Sequence, residues 1–370
     1  MIRGGRNPRL RGSTTRSAVV FAVAVSLVGM LRTAEPATAV AEAPPGKLAP
    51  KPLFRDPIYD GAADPVVIWN REEKKWFMFY TNRRANLPDD QITQVTWVHG
   101  TRIGIAASAD GGATWTYRGT ADIDYGQPDY TQWAPEVVEA DGTYHMFLTV
   151  VPGIFNDWNH PRDIIHLTSR DLLRWKYEST LKLSSDRVID PCVHRLADGT
   201  WRLWYNNERD HKSIYFADSP DLRTWTDRGK VDGVGERPGE GPFVFRWKGH
   251  YWMLVDVWHG LGVYRSDDAR HWIAQQGNLL EQPGTGADDS ANGGHAGGVV
   301  SGGRAWCFYF VHPGRMGTIP VGAREGYERR RSSIQIVELK FADGRITCDR
   351  DEPTYVDLRP PAADGSAARP

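Results

Sequence analysis

Three carboxylates stand just ahead of a proline in apolar, strand-forming surroundings. They are Asp64 in DPVVIW, Asp190 in DPCVHRL and Glu240 in EGPFVFRW. Proline fixes its own φ and restricts the residue before it, so each acid would project at a set angle. One Asp-Pro is a common turn dipeptide, but three acids at matching places need another cause. Carboxylates held together repel one another, and burial drives their pKa values apart. Such a group divides into a proton donor and a proton acceptor, the requirement of general acid–base chemistry. Two further matching places carry Ala134, in Trp133-Ala134-Pro135, and His295.

The elements that must position these residues form a repeat. A strand starting at each of the five places is followed by a second strand crowded with aromatics. These second strands read KWFMFY, TYHMFLTV, WRLWYN, HYWMLVDVW and AWCFYFVH. A third, alternating strand and a polar turn follow, and in four copies the turn closes on Trp115, Trp175, Trp225 or Trp272. Short β-branched and aromatic runs split by Gly, Asp and Asn predict antiparallel strands. Five repeats of about four strands predict an all-β fold, a five-bladed β-propeller over residues 54–345. In that fold the first strand of each blade lines a central channel, so residues at its start converge. The turn Ser108-Ala109-Asp110-Gly111-Gly112-Ala113-Thr114-Trp115 has the form of an Asp-box, and SRDLLRW, SPDLRTW and SDDARHW are looser versions. That signal is structural.

Residues 1–39 read as a secretory signal peptide. Five Arg precede the apolar run Ala18–Leu31, and Ala37-Thr38-Ala39 fits a cleavage site. A secreted or periplasmic protein is expected, with no stable membrane insertion after cleavage. Residues 40–53 read as a linker and 346–370 as a tail. The first 39 residues hold six Arg and one Glu, so their removal takes the formal charge from −1 to about −6. An acidic protein offers no electrostatic footprint for nucleic acid. Cys192, Cys307 and Cys348 show no metal-ligand spacing, and buried free thiols are expected, with a Cys307–Cys348 disulfide as the alternative.

In the order ADP (63–65), WAP (133–135), DP (190–191) and EGP (240–242), the chain resembles glycoside hydrolase family 43 and its five-bladed relatives. The resemblance implies an inverting glycosidase with Asp64 as general base, Asp190 as the residue that tunes and orients the acid, and Glu240 as general acid. It implies a poly- or oligosaccharide substrate containing arabinose, xylose or galactose, of the α-L-arabinofuranosidase or β-xylosidase type. No cofactor is required, although some members hold a calcium ion or an ordered water near a blade-five His, which His295 matches as a metal or substrate contact. Trp133 is a candidate for stacking on a sugar. Glu136 and Glu236 are weaker rivals among the acids. A monomer is expected. The alternatives are a non-catalytic carbohydrate-binding propeller and a neoagarobiose-type hydrolase of related fold. The loops Asn82–His99, Phe155–Arg162 and Gly284–Gly294 are individual to this chain, and loops at a channel mouth set specificity.

Overall fold

Each copy of the repeat folds as one antiparallel sheet. The computed structural model describes residues 45–315 and 326–361, and the expected leader lies outside the described residues. Blade one comprises Ala62–Asn70, Lys75–Asn82, Arg102–Ser108 and Thr116–Thr120. The first strands of blades two to five are Thr131–Ala140, Val188–Arg195, Glu240–Trp247 and Gly294–Ser301. Their second strands are Thr143–Val151, Trp201–Asn207, His250–Asp256 and Arg304–Val311. Every first strand packs beside those of the blades before and after it, and the fifth packs beside the first. The sheets therefore close into the five-bladed propeller that the repeat predicts.

The aromatic second strands explain why a lone blade would not be stable. Successive side chains on a strand point to opposite faces. Phe77 and Phe79 pack against Val137 and Met146 of blade two. Trp76, Met78 and Tyr80 pack against Trp306 and Phe308 of blade five. Both faces of the strand are apolar because both are covered by a neighbouring blade. The Asp-box turns join third to fourth strands, away from the first strands. In all four, Ser donates to Asp: Ser108 to Asp110 at 2.8 Å, Ser169 to Asp171 at 3.1 Å, Ser219 to Asp221 at 3.2 Å and Ser266 to Asp268 at 3.0 Å.

The segments expected as linker and tail are, where described, part of the fold. Lys47–Leu48 pairs antiparallel with Tyr355–Val356, and the Ala49 N–H donates to the Thr354 carbonyl at 2.9 Å. Leu53, Phe54, Val356 and Leu358 are buried in the core cluster shared by blades one and five. Among the described residues each blade is a single run of chain, and no strand is shared between blades five and one. The two end segments cover that junction instead. No disulfide joins Cys192, Cys307 or Cys348 among the described residues, and Cys192 and Cys307 are buried.

Candidate active site

In every blade the pairing of first and second strand slips at one place. The slips fall between Ala63 and Val66, Trp133 and Glu136, Ile189 and Cys192, Glu240 and Phe243, and Gly294 and Gly297. The residues inside these bulges are Asp64-Pro65, Ala134-Pro135, Asp190-Pro191, Gly241-Pro242 and His295-Ala296. A bulge frees its residues from the ladder, which is why proline is accepted there and why a side chain can be re-aimed. Asp64, Ala134, Asp190 and Gly241 all have left-handed φ, at 54°, 42°, 59° and 57°. Such strain collects at functional sites.

This geometry corrects one expectation. Asp64, Asp190 and His295 share a register, but Glu240 does not. It lies one residue ahead of the bulge, paired with Asp256, in the register of Ala63, Trp133, Ile189 and Gly294. Gly241 fills the blade-four bulge for a specific reason. A Cβ there would meet the His295 ring at 2.5 Å from Cγ. Glycine lets the ring lie against the peptide and adopts the positive φ.

The acids nevertheless meet. His295 Nδ1 is 3.5 Å from Asp64 Oδ1 and 4.0 Å from Asp190 Oδ2. The Gly241 N–H donates to Asp190 Oδ2 at 3.0 Å. Asp190 is buried, and desolvation, then the charges of Glu240 and Asp64, raise its pKa well above the usual carboxylate range. Arg83 Nη2 reaches both oxygens of Asp64, at 3.2 and 3.4 Å. Arg83 Nη1 also bonds His312 Nε2 at 3.0 Å, and His312 Nδ1 bonds the Arg331 carbonyl at 2.9 Å. His312 therefore carries its proton on Nδ1 and accepts at Nε2. Burial, then Arg315 and Arg83, push its pKa down, which keeps it a neutral acceptor.

Glu240 is about a quarter exposed and has both oxygens engaged. Lys212 Nζ donates to Oε2 at 3.1 Å, and the Trp258 indole N–H donates to Oε1 at 3.1 Å. Lys212 also lies 3.8 Å from Glu208 Oε1, and Glu208 Oε2 lies 3.0 Å from Arg162 Nε. Alternating charges thus run from the acid of blade four to the Phe155–Arg162 loop. Asp256 accepts the Trp258 N–H at 2.7 Å on Oδ1 and the His295 N–H at 2.8 Å on Oδ2. Desolvation, then Glu240, raise the Asp256 pKa to about 7.

Trp133 is 8% exposed. Its indole N–H donates to the Val98 carbonyl at 2.7 Å, and its ring packs among His99, Trp158 and the Arg162 guanidinium. Most of the ring is committed to that packing. Glu136 is buried and accepts the Val193 N–H of blade three at 3.4 Å, a cross-blade tie. Glu236 lies exposed on the loop before Glu240. The Gly284–Gly294 loop is pinned by buried Asp289 to Lys51, Tyr309 and Arg350. Among the described residues, no three His, Cys, Asp or Glu side chains are placed to hold a metal. Calcium takes six to eight oxygens, and the carboxylates beside His295 are already bonded to Arg83 and Gly241.

Arg83, Lys212, Glu208, Asp256, Trp258 and His312 escaped the sequence reading. One signal pointed to Asp256. The position opposite each pre-bulge residue is Thr81, Thr149, Asn206 and Asp256 in four blades, polar at the end of strands that are otherwise apolar.

No known family profile matches the chain. An uncharacterized protein of Mycobacterium tuberculosis, MT1551, is 28% identical over 171 residues, covering 41% of this chain. The match spans 55% of that protein's length. Among solved structures, the chain is similar to a thermostable family-43 glycoside hydrolase, with TM-score 0.59, 18% identity, and 82% and 99% of the two chains covered. It is similar to a GH43_1 enzyme from Xanthomonas citri complexed with xylotriose, with TM-score 0.58, 16% identity, and 82% and 93% covered. It is also similar to a family-43 β-1,3-galactosidase bound to galactodeoxynojirimycin, with TM-score 0.57, 14% identity, and 81% and 98% covered. The fold is that of the family-43 propellers.

Proposed function

We propose that this protein is a secreted glycoside hydrolase that inverts anomeric configuration. The observation that carries the reading is that Asp64 and Asp190, from two blades, stand beside the His295 ring, while Glu240 of a third blade lies near enough for its charge to act on Asp190. Hydrolysis needs one carboxyl to protonate the leaving oxygen and one carboxylate to take a proton from water. Glu240, the most open of the three, donates to the glycosidic oxygen. Asp64, oriented by Arg83, accepts the proton of a water that attacks the opposite face of the sugar. Asp190, which accepts the Gly241 N–H next to Glu240, orients the acid of blade four. No step calls on a cofactor.

The fold neighbours include a xylotriose-bound enzyme and a galactosidase, and an exo-1,5-α-L-arabinanase shares the fold at TM-score 0.51. They support an arabinose-, xylose- or galactose-containing poly- or oligosaccharide as substrate, with arabinofuranosides first to be tried. The enzyme acts as a monomer outside the cytoplasm, after a leader of about 39 residues is cut away; sequencing the N-terminus of secreted protein checks this. The deciding experiment is a panel of aryl furanosides, aryl pyranosides and polysaccharides, with NMR of the first product. Inverted product, with Asp64→Asn and Glu240→Gln each reducing turnover by about a thousandfold or more, is the expected result. Retained configuration, or full activity in either variant, removes the assignment.

A further inference from the structure

We infer that Trp258 is the platform for the sugar on the leaving-group side of the scissile bond. The inference rests on the glycosidase reading above and names a subsite within it. Trp258 follows the second strand of blade four and is 41% exposed, although most large rings of this chain are buried. Packing in the core therefore does not account for it. Its φ is +61°, a conformation that costs a bulky residue energy and persists only where the surroundings over-determine it. Here they do. Asp256 takes its N–H at 2.7 Å, and Asn292 Nδ2 donates to its carbonyl at 3.3 Å. Its indole N–H reaches Glu240 at 3.1 Å, and the Lys212 ammonium lies 4.8 Å from the ring centroid.

The position relative to Glu240 decides what the ring is for. A general acid must stand within hydrogen-bond distance of the oxygen it protonates. That oxygen departs with the leaving-group sugar, so this sugar lies within about one ring of Glu240. Trp258 is the exposed aromatic whose edge touches the acid. Trp158 is more exposed, at 49%, but its ring neighbours are His99 and Trp133. With Lys212 against one face, the open part of the indole suits the C–H face of a pyranose or furanose ring. The same residue thus aims the acid and seats the group that the acid releases.

The test compares two substrates with one glycone: an oligosaccharide that the wild type cleaves and the corresponding glycosyl fluoride. Fluoride departs without protonation and brings no second sugar. Trp258→Ala is expected to reduce kcat/KM about thirtyfold on the oligosaccharide and about threefold on the fluoride. Trp258→Phe keeps a ring but no N–H, and is expected to fall between wild type and the Ala variant on the oligosaccharide. Equal losses on both substrates, or no loss on the oligosaccharide, overturn the inference. A second measurement separates this outcome from failure of the glycosidase reading. The Trp258 indole N–H resonance, assigned with Trp258→Phe, is followed while xylotriose, arabinotriose and β-1,3-galactotriose are added to the wild type. A shift with one of them is expected. No shift with any of the three overturns the platform. A shift without turnover of any glycoside overturns only the hydrolase reading.

Discussion

The Gly241 N–H donates to Asp190 Oδ2 at 3.0 Å while the His295 ring lies against the same residue, where a Cβ would sit 2.5 Å from the ring. One peptide thus sets the distance between the acids of blades three and four. Gly241→Ala adds a Cβ at φ +57° and pushes on His295. We expect a stability loss of about 1–3 kcal/mol, read as a lower Tm. The kcat should fall about a hundredfold as Asp190 and His295 are displaced. Unchanged kcat would separate this peptide from the chemistry.

The bulges are held from the blade before. Thr81 Oγ1 accepts the Ala134 N–H at 2.8 Å, Thr149 Oγ1 accepts the Asp190 N–H at 3.0 Å, and Asp256 Oδ2 accepts the His295 N–H at 2.8 Å. Thr81 and Thr149 do the same structural task, but only Thr149 holds a residue with proposed chemistry. Thr81→Val and Thr149→Val should each cost about 1–3 kcal/mol by leaving a buried N–H unpaired. Only Thr149→Val should lower kcat by about tenfold beyond what the shared destabilisation explains. Denaturant melts and steady-state kinetics on the matched pair check this.

The repeat made the fold legible because each blade carries its own apolar second strand and four of the five carry a Pro-marked bulge. The places of Asp64 and Asp190 were legible for the same reason, and that of His295 from the matching point of the fifth repeat. Glu240 was found by its Gly-Pro context, yet its register was not, because a bulge adds a residue that the motif does not display. The groups that govern the acids were hidden for another reason. Arg83 and His312 come from blades one and five, and Lys212 and Glu208 from the turn after the second strand of blade three. Arg83 and His312 meet only through ring closure, and Lys212, paired with Glu208, reaches Glu240 only because blade three packs against blade four. The apolar content of the end segments was hidden among Pro and Ala, and only the uncovered junction of blades one and five explains their burial.

Arg83 grips both oxygens of Asp64 and is itself fixed by neutral His312. A guanidinium can give one terminal nitrogen to Asp64 and the other to His312, whereas an ammonium is a single point charge. Arg83→Lys keeps the charge and loses that two-sided grip. We expect kcat to fall about ten- to a hundredfold with KM changed by less than about threefold, because orientation of the base, not sugar binding, is lost. A change confined to KM would place Arg83 on the substrate instead.

Asp256 holds the His295 bulge N–H with a carboxylate, where Thr does the matching task in blades one and two. Its folded pKa, about 7, lies above the usual unfolded value of about 3.9. The cause is burial first and the charge of Glu240 second, against the bonds from the His295 and Trp258 N–H groups and the imidazole of His295, which favour the anion. The sign follows from the proton count. Below about pH 4 both states are protonated and the group is neutral to stability. From pH 4 to 7 the unfolded chain ionises and the folded one does not, so stability falls with rising pH. The total is at most about 4 kcal/mol and becomes constant above pH 7. Asp256→Thr keeps an acceptor for His295 and removes this penalty, but gives up the Trp258 N–H, at a cost of about 1–2 kcal/mol. The variant should therefore melt below wild type at pH 4 and above it at pH 8. Its turnover should drop as Trp258 loosens from Glu240. Parallel Tm-against-pH curves for the two proteins would show that Asp256 is ionised throughout in the folded state.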